Sequence, residues 1–182
     1  MTQTSKNILL VSGSGQNVGK TSFICRMITQ YTNRQPVAIK ITPHFHHPSD
    51  GLRPVIVTDN YRIFQETDPN TTKDSSRFLQ AGAKLVFYIQ TTDAFLKEAF
   101  MLTSRQIAPD QPVIIESAAL RKFITPGLYL FIQKKYEEVK PSALEMQKLA
   151  DATVFSDGEC FSIQPERIIF DQTWKIKHDD NA

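Results

Sequence analysis

Short apolar runs alternate with amphipathic ones along this chain. Residues 7–11 (NILLV) are a short apolar run, Ile8 to Val11, that ends at a glycine-rich turn, which predicts a first strand. Beyond Gly19 the period changes. Phe23, Ile24, Met27, Ile28 and Tyr31 recur three and four apart, so a helix is predicted through Thr32. Residues 36–41 (PVAIKI) predict a second strand. The first fifty residues thus read strand, loop, helix, strand, a parallel pair with a right-handed crossover. The polar stretch TPHFHHPSDGLRP carries three prolines and one glycine and is expected to be loop. Two β-rich runs, PVIVT and YRIFQ, flank Asp59-Asn60 and predict a hairpin at about 54–66, an excursion from the main sheet. A helix is expected over 72–82, stopped by Gly82, and a strand over 84–89. A second long helix should cover 93–105 with Asp93 as its N-cap. Residues 112–115 are an apolar run ending in Glu116, and 128–132 another. Residues 141–150 predict a helix with proline in its first turn, and 152–155 and 167–170 late strands.

Strands alternating with helices predict an α/β fold, a mostly parallel sheet flanked by helices. One domain over residues 1–174, followed by a charged, frayed tail at 175–182, is the simplest division. Composition agrees: 182 residues, 41% hydrophobic and 22% charged, describe one globular domain. Lys plus Arg number 21 against 19 acids, a net +2 too even to point to nucleic acid or a membrane surface. No apolar run reaches the ~18–20 residues that span a bilayer, and the N-terminus lacks a signal peptide's pattern, so a cytoplasmic location is expected. Cys25 and Cys160 are far apart and read as reduced thiols.

The turn after the first strand carries the chemistry. Residues 12–22 read SGSGQNVGKTS. A strand, a glycine-rich turn and GKTS opening a helix form the context of a phosphate-binding P-loop. Backbone N–H groups of Gly13, Ser14, Gly15, Gln16, Asn17, Val18 and Gly19, with the helix N-terminus and Ser22, would face one anion. Lys20 brings a mobile positive charge for the β- and γ-phosphates, and the Thr21 hydroxyl is placed for Mg²⁺. The usual GxxxxGK[ST] spacing wants glycine at 14, where Ser14 stands. A dinucleotide-binding GxGxxG fails too, because Val18 occupies its third glycine position. Glu116, at a strand end, is the acid expected to help hold Mg²⁺ and serve catalysis. His44, His46 and His47 follow the second strand. Imidazoles so spaced can bind a metal such as Zn²⁺ or contact phosphates.

With five residues between Gly13 and Gly19, the loop resembles those of dethiobiotin synthetase and the cobyric and cobyrinic acid synthases. The MinD/ParA ATPases of the same class carry a second lysine early in the loop; here that region is Gly13-Ser14-Gly15. A second resemblance follows in chain order. VAIKITPHFHH, TKDSSRFLQAGAKLVFY and IIESA are similar to segments of MobB, the nucleotide-binding protein B of molybdopterin guanine dinucleotide biosynthesis. The MobB-like likeness covers about two-thirds of the chain. It implies a three-layer P-loop NTPase, with Lys73, Asp74 and Ser75 near the nucleotide or an effector surface. It also implies a homodimer and a cofactor-biosynthesis protein as partner. From their chemistry alone, Asp74 and Ser75 would serve equally as helix caps. Thr72 and Ser117 stand where that family has glycine. Arg77 and Arg121 can neutralise phosphate charge.

The nucleobase has one candidate reader. Asp157, after a late strand, can accept from the two guanine donors that adenine lacks, favouring GTP; a plain Asp-Gly turn is the competing account. The expectation is a Mg²⁺-dependent, GTP- or ATP-binding protein with slow hydrolysis, aiding molybdenum cofactor-type biosynthesis. The alternative is an ATP-dependent synthetase that activates a carboxylate. An adaptor reading takes the exposed-looking residues 118–129 as its contact.

Overall fold

The protein is described here by a computed structural model covering residues 3–177. Fourteen elements follow one another among them. They are β1 (Gln3–Gly13), α1 (Lys20–Gln30), β2 (Val37–Thr42), β3 (Leu52–Val57), β4 (Tyr61–Glu66), α2 (Asp74–Gln80) and β5 (Leu85–Thr91). The second half holds α3 (Asp93–Ser104), β6 (Val113–Glu116), β7 (Ile124–Lys134), α4 (Pro141–Lys148), β8 (Ala152–Ser156), β9 (Ile168–Asp171) and β10 (Thr173–Ile176). The main sheet has the order β3-β4-β5-β2-β6-β1-β7-β8. Every pair from β5 to β8 is parallel. The expected α/β class with a mostly parallel sheet is therefore observed.

Period-two alternation sorts each strand's side chains between two cores. On β1, Leu9 and Val11 join Phe23, Ile24, Met27 and Ile28 of α1 on one face. Ile8 and Leu10 join Leu96, Ala99 and Phe100 of α3 on the other. All of these side chains but Ile8, Leu96 and Phe100 are wholly inaccessible. Burying each contributes about 1.5–3 kcal/mol, so β1, apolar on both faces, is the natural centre of the sheet.

Several expectations are corrected. β1 and β2 are parallel but not neighbours, because β6 lies between them. The hairpin β3–β4 is no excursion. β4 pairs antiparallel with β5, so the hairpin extends the main sheet to its edge. Buried Ile63 and Phe64 on β4 explain this, since both need cover. The last predicted strand, β9, does not join the parallel sheet but forms a separate antiparallel hairpin with β10. Trp174 anchors that hairpin. Its indole N–H donates to Asn7 O at 2.8 Å, its ring meets Tyr31 and Phe170, and it is 1% exposed. The folded unit thus runs past 174 to Ile176, while 178–182 of the expected tail lie outside the described residues. Thr92, not Asp93, is the N-cap of α3, and Asp93 opens its first turn. Residues 118–129 are not an exposed face. Leu120, Ile124, Leu128 and Tyr129 are core, held there by a short 3-10 turn and the first half of β7. No helix among the described residues is long and apolar enough to cross a membrane.

Candidate functional site

Three parallel strands end side by side: β2, β6 and β1. Glu116 sits at the end of β6, level with Val11 of β1 and Lys40 of β2. In β2, Ala38 faces the α1 core while Val37, Ile39 and Ile41 face the α3 core. Lys40 keeps step with Ala38, so its chain runs to the α1 side. In β6, Ile114 faces α1, and Glu116 keeps step with it. Alternation alone therefore delivers a lysine and a glutamate to one point beneath the glycine-rich loop.

The loop joins β1 to α1 through two glycines with different tasks. A Cβ on Gly13 would sit 2.5 Å from Ile132 O of β7. Gly13 must be glycine because the chain turns against its neighbouring strand, and Ser14 N then donates to the same carbonyl at 2.9 Å. Gly19 has φ +99°, in the left-handed region that disfavours a side chain. It precedes α1, whose first turn has no side-chain cap and no acid. The first-turn N–H groups of α1 are thus free to face an anion. A Cβ on Gly15 would meet nothing within 4 Å. The five-residue spacing is thereby explained: Gly13 and Gly19 are required by geometry, and Ser14 lies between them without strain.

Five polar side chains converge below the loop. Lys40 Nζ donates to Glu116 Oε1 at 2.6 Å and to Asp74 Oδ2 at 2.9 Å. Asp74 Oδ1 accepts from Thr21 Oγ1 at 2.8 Å. Lys20 Nζ donates to Gly15 O at 2.6 Å and lies 3.9 Å from Glu116 Oε1. Glu116 is 4% exposed, and its Oε2 is buried without a hydrogen-bond partner among the described residues. Burial pushes the Lys20 pKa down, with Lys40 adding to the effect and Glu116 opposing it. Burial also acts to lower Lys40, but the adjacent Glu116 and Asp74 carboxylates outweigh it and raise its pKa. Burial acts to raise Asp74, yet Lys40 and the Thr21 hydroxyl hold its carboxyl below the ordinary value.

This cluster lines a cleft of about 430 Å³ together with Gln16, Asn17, Ser22 and Arg77. Asp74 and Ser75 do not cap α2, which has no side-chain cap. Asp74 belongs to the site, while Ser75 Oγ donates to buried Glu66 at 2.7 Å. Lys73 stands at the N-terminal boundary of α2 and lines a separate cavity. Val18 is buried in the core beneath the loop. Arg121 is not part of the cluster, because its guanidinium donates to Ile124 O. Lys40 was missed in the sequence. Its signal is a lone charge inside the otherwise apolar VAIKI, which strand alternation brings level with Glu116.

The three histidines line two cavities. His44 borders a cleft of about 730 Å³ on the other side of the loop, whereas His46 and His47 border a different cavity. Among the described residues no set of three or more His, Cys, Asp or Glu side chains is gathered to hold a metal ion. The expected three-histidine set is thus not gathered, although the His44 and His46 rings lie 6.0 Å apart between centroids. Asp157 is used locally. Its Oδ1 accepts from Glu159 N at 3.1 Å and Cys160 N at 2.8 Å, and these backbone bonds hold its pKa down. Gly158, not Asp157, lines the cleft. Cys25 and Cys160 are both free thiols.

Compared with protein-family models, curated proteins and solved structures, the chain gives no significant match.

Proposed function

We propose that the chain is a Mg²⁺-dependent nucleoside-triphosphate-binding protein of the P-loop kind, with slow hydrolysis. The observation that carries this reading is the convergence of Lys20, Lys40, Thr21, Asp74 and Glu116 beneath a glycine-rich loop at an uncapped helix N-terminus. Lys20, now bonded to Gly15 O, would swing to the terminal phosphates, and the loop and α1 N–H groups would cradle them. Thr21, Asp74 and Glu116 are hard oxygen donors and fit Mg²⁺; the unpartnered Glu116 Oε2 is what such an ion or its water would satisfy. Bound there, Mg²⁺ supplies charge neutralisation of the phosphates. Lys40 is then a second cation at the phosphate end, released from its pairing with Asp74 and Glu116. Slow turnover is expected because Glu116 and Asp74 would then be engaged by the ion, leaving neither as the base for a positioned nucleophile.

Service to metal-cofactor assembly of the molybdenum type is part of the proposal and is supported by the order of the MobB-like segments. GTP preference rests on Asp157, whose carboxylate is held in its own turn. The synthetase reading keeps one specific support: the cleft of about 730 Å³ shares Lys20, Lys40 and Glu116 with the first and offers room for a carboxylate substrate. Calorimetry with Mg²⁺ and non-hydrolysable GTP or ATP analogues tests the proposal. Lys20→Ala should abolish binding, and retained binding would rule out the P-loop assignment. Asp157→Ala should erase any GTP preference, and a preference that survives removes the base assignment. Strong stimulation of phosphate release by a carboxylate would favour the synthetase.

A further inference from the structure

A third cavity, of about 360 Å³, opens on the α2 side of Lys40. Its floor is the sheet, where Lys40 and Tyr88 lie level on neighbouring strands and Leu52 adds a buried apolar wall. Around it stand Lys73 and the rings of His46 and His47. Their positions come from three separate parts of the chain: the loop after β2, the start of α2, and β5 for Tyr88. The Lys73 ammonium, the two imidazoles and the Tyr88 hydroxyl have no hydrogen-bond or ion-pair partner among the described residues. The one carboxylate at the cavity, Asp74, is already bound by Lys40 at 2.9 Å and Thr21 at 2.8 Å. Lys73, His46 and His47 are exposed donors that stand with a neutralised acid around a space of small-molecule size.

We propose that this cavity is a second ligand site, for a small phosphomonoester with an apolar or aromatic body. The phosphate would take Lys73, His46 and His47, and the body would rest against Leu52 and the Tyr88 ring. Several convergent donors match the three terminal oxygens of a phosphate better than the two of a carboxylate. Lys40 and Asp74 line both this cavity and the cleft under the glycine-rich loop, so occupancy of one site alters the other. That coupling rests on the nucleotide reading; the binding does not.

Phenyl phosphate and benzoate, titrated into the full chain and followed by amide NMR, test this. Phenyl phosphate should shift the backbone amides of Leu52, Lys73 and Tyr88 in the parent and in Lys20→Ala alike. Lys73→Ala should weaken it by about tenfold, while Mg²⁺-nucleotide affinity stays within about twofold of the parent. His46→Ala/His47→Ala, on an exposed loop, should weaken the same probe without unfolding the chain. Shifts confined to residues 13–21, or no effect of Lys73→Ala, would overturn the site. Benzoate binding as tightly would overturn its assignment to a phosphate. A parent that binds phenyl phosphate here but no nucleotide would overturn the nucleotide reading and its coupling, and support the site itself.

Discussion

Lys40 is the residue on which the site's electrostatics turn, and Lys40→Met is the sharpest test of them. The substitution keeps length and removes charge. It leaves Glu116, whose side chain is 5% exposed, without its 2.6 Å partner. Removing one member of a buried ion pair costs about 3–5 kcal/mol. Two features reduce that here. The Asp74 side chain is 37% exposed, so its share is screened, and Lys20 at 3.9 Å can move toward Glu116. A loss of about 2–3 kcal/mol is expected. For a chain of this size that is a fall of about 4–12 °C in melting temperature. Urea unfolding at pH 7 measures it. Glu116→Gln and the double variant complete a cycle in which the double loss falls short of the sum by about 1 kcal/mol or more. Additive losses, or a Lys40→Met loss under about 0.5 kcal/mol, would refute the idea that Lys40 is the counter-ion of a desolvated Glu116.

Two further outcomes are expected. Gly13→Ala should cost about 1–3 kcal/mol through the clash with Ile132 O, whereas Gly15→Ala should stay within about 0.5 kcal/mol; equal losses would sink the account of the loop's spacing. Asp74 has a lowered folded pKa, so its contribution is present above its ordinary 3.8 and is lost as pH falls through the folded value. The stability gap between the parent and Asp74→Asn should accordingly close on acidification, as read from urea midpoints between about pH 6 and 2.5, and a gap that widens would contradict it.

Local pattern made much of this protein legible. Residues 8–11 lack polar positions and need cover on both faces, so they read as a strand. The switch to a helical period after Gly19 set the strand–loop–helix unit, and GKTS placed Lys20 and Thr21 at its start. Glu116 was visible as a carboxylate ending an apolar run. These features depend on neighbours a few residues apart, and chain geometry fixes those relations before any packing occurs.

Other decisions were made by contacts between distant segments. Whether Gly13 or position 14 needed glycine depended on how near β7 passes, a distance no local pattern encodes. Asp74 could cap a helix or join the site; Lys40 and Thr21, 34 and 53 residues away in sequence, drew it to the site. Three clustered histidines read as one ligand set, yet the exposed loop brings the His44 and His46 rings to 6.0 Å and gathers no three-ligand set among the described residues. The edge hairpin and the β9–β10 hairpin each form a regular pair in isolation. Only the open edge of β5 on one side, and the Tyr31 ring with the Asn7 backbone carbonyl on the other, determined where each would dock. The sequence by itself determined which segments form strands and helices and which residues stand at their ends, because those choices answer to period and turn chemistry. The tertiary structure decided which of those ends meet, because strand order and burial bring together charges that the chain keeps far apart.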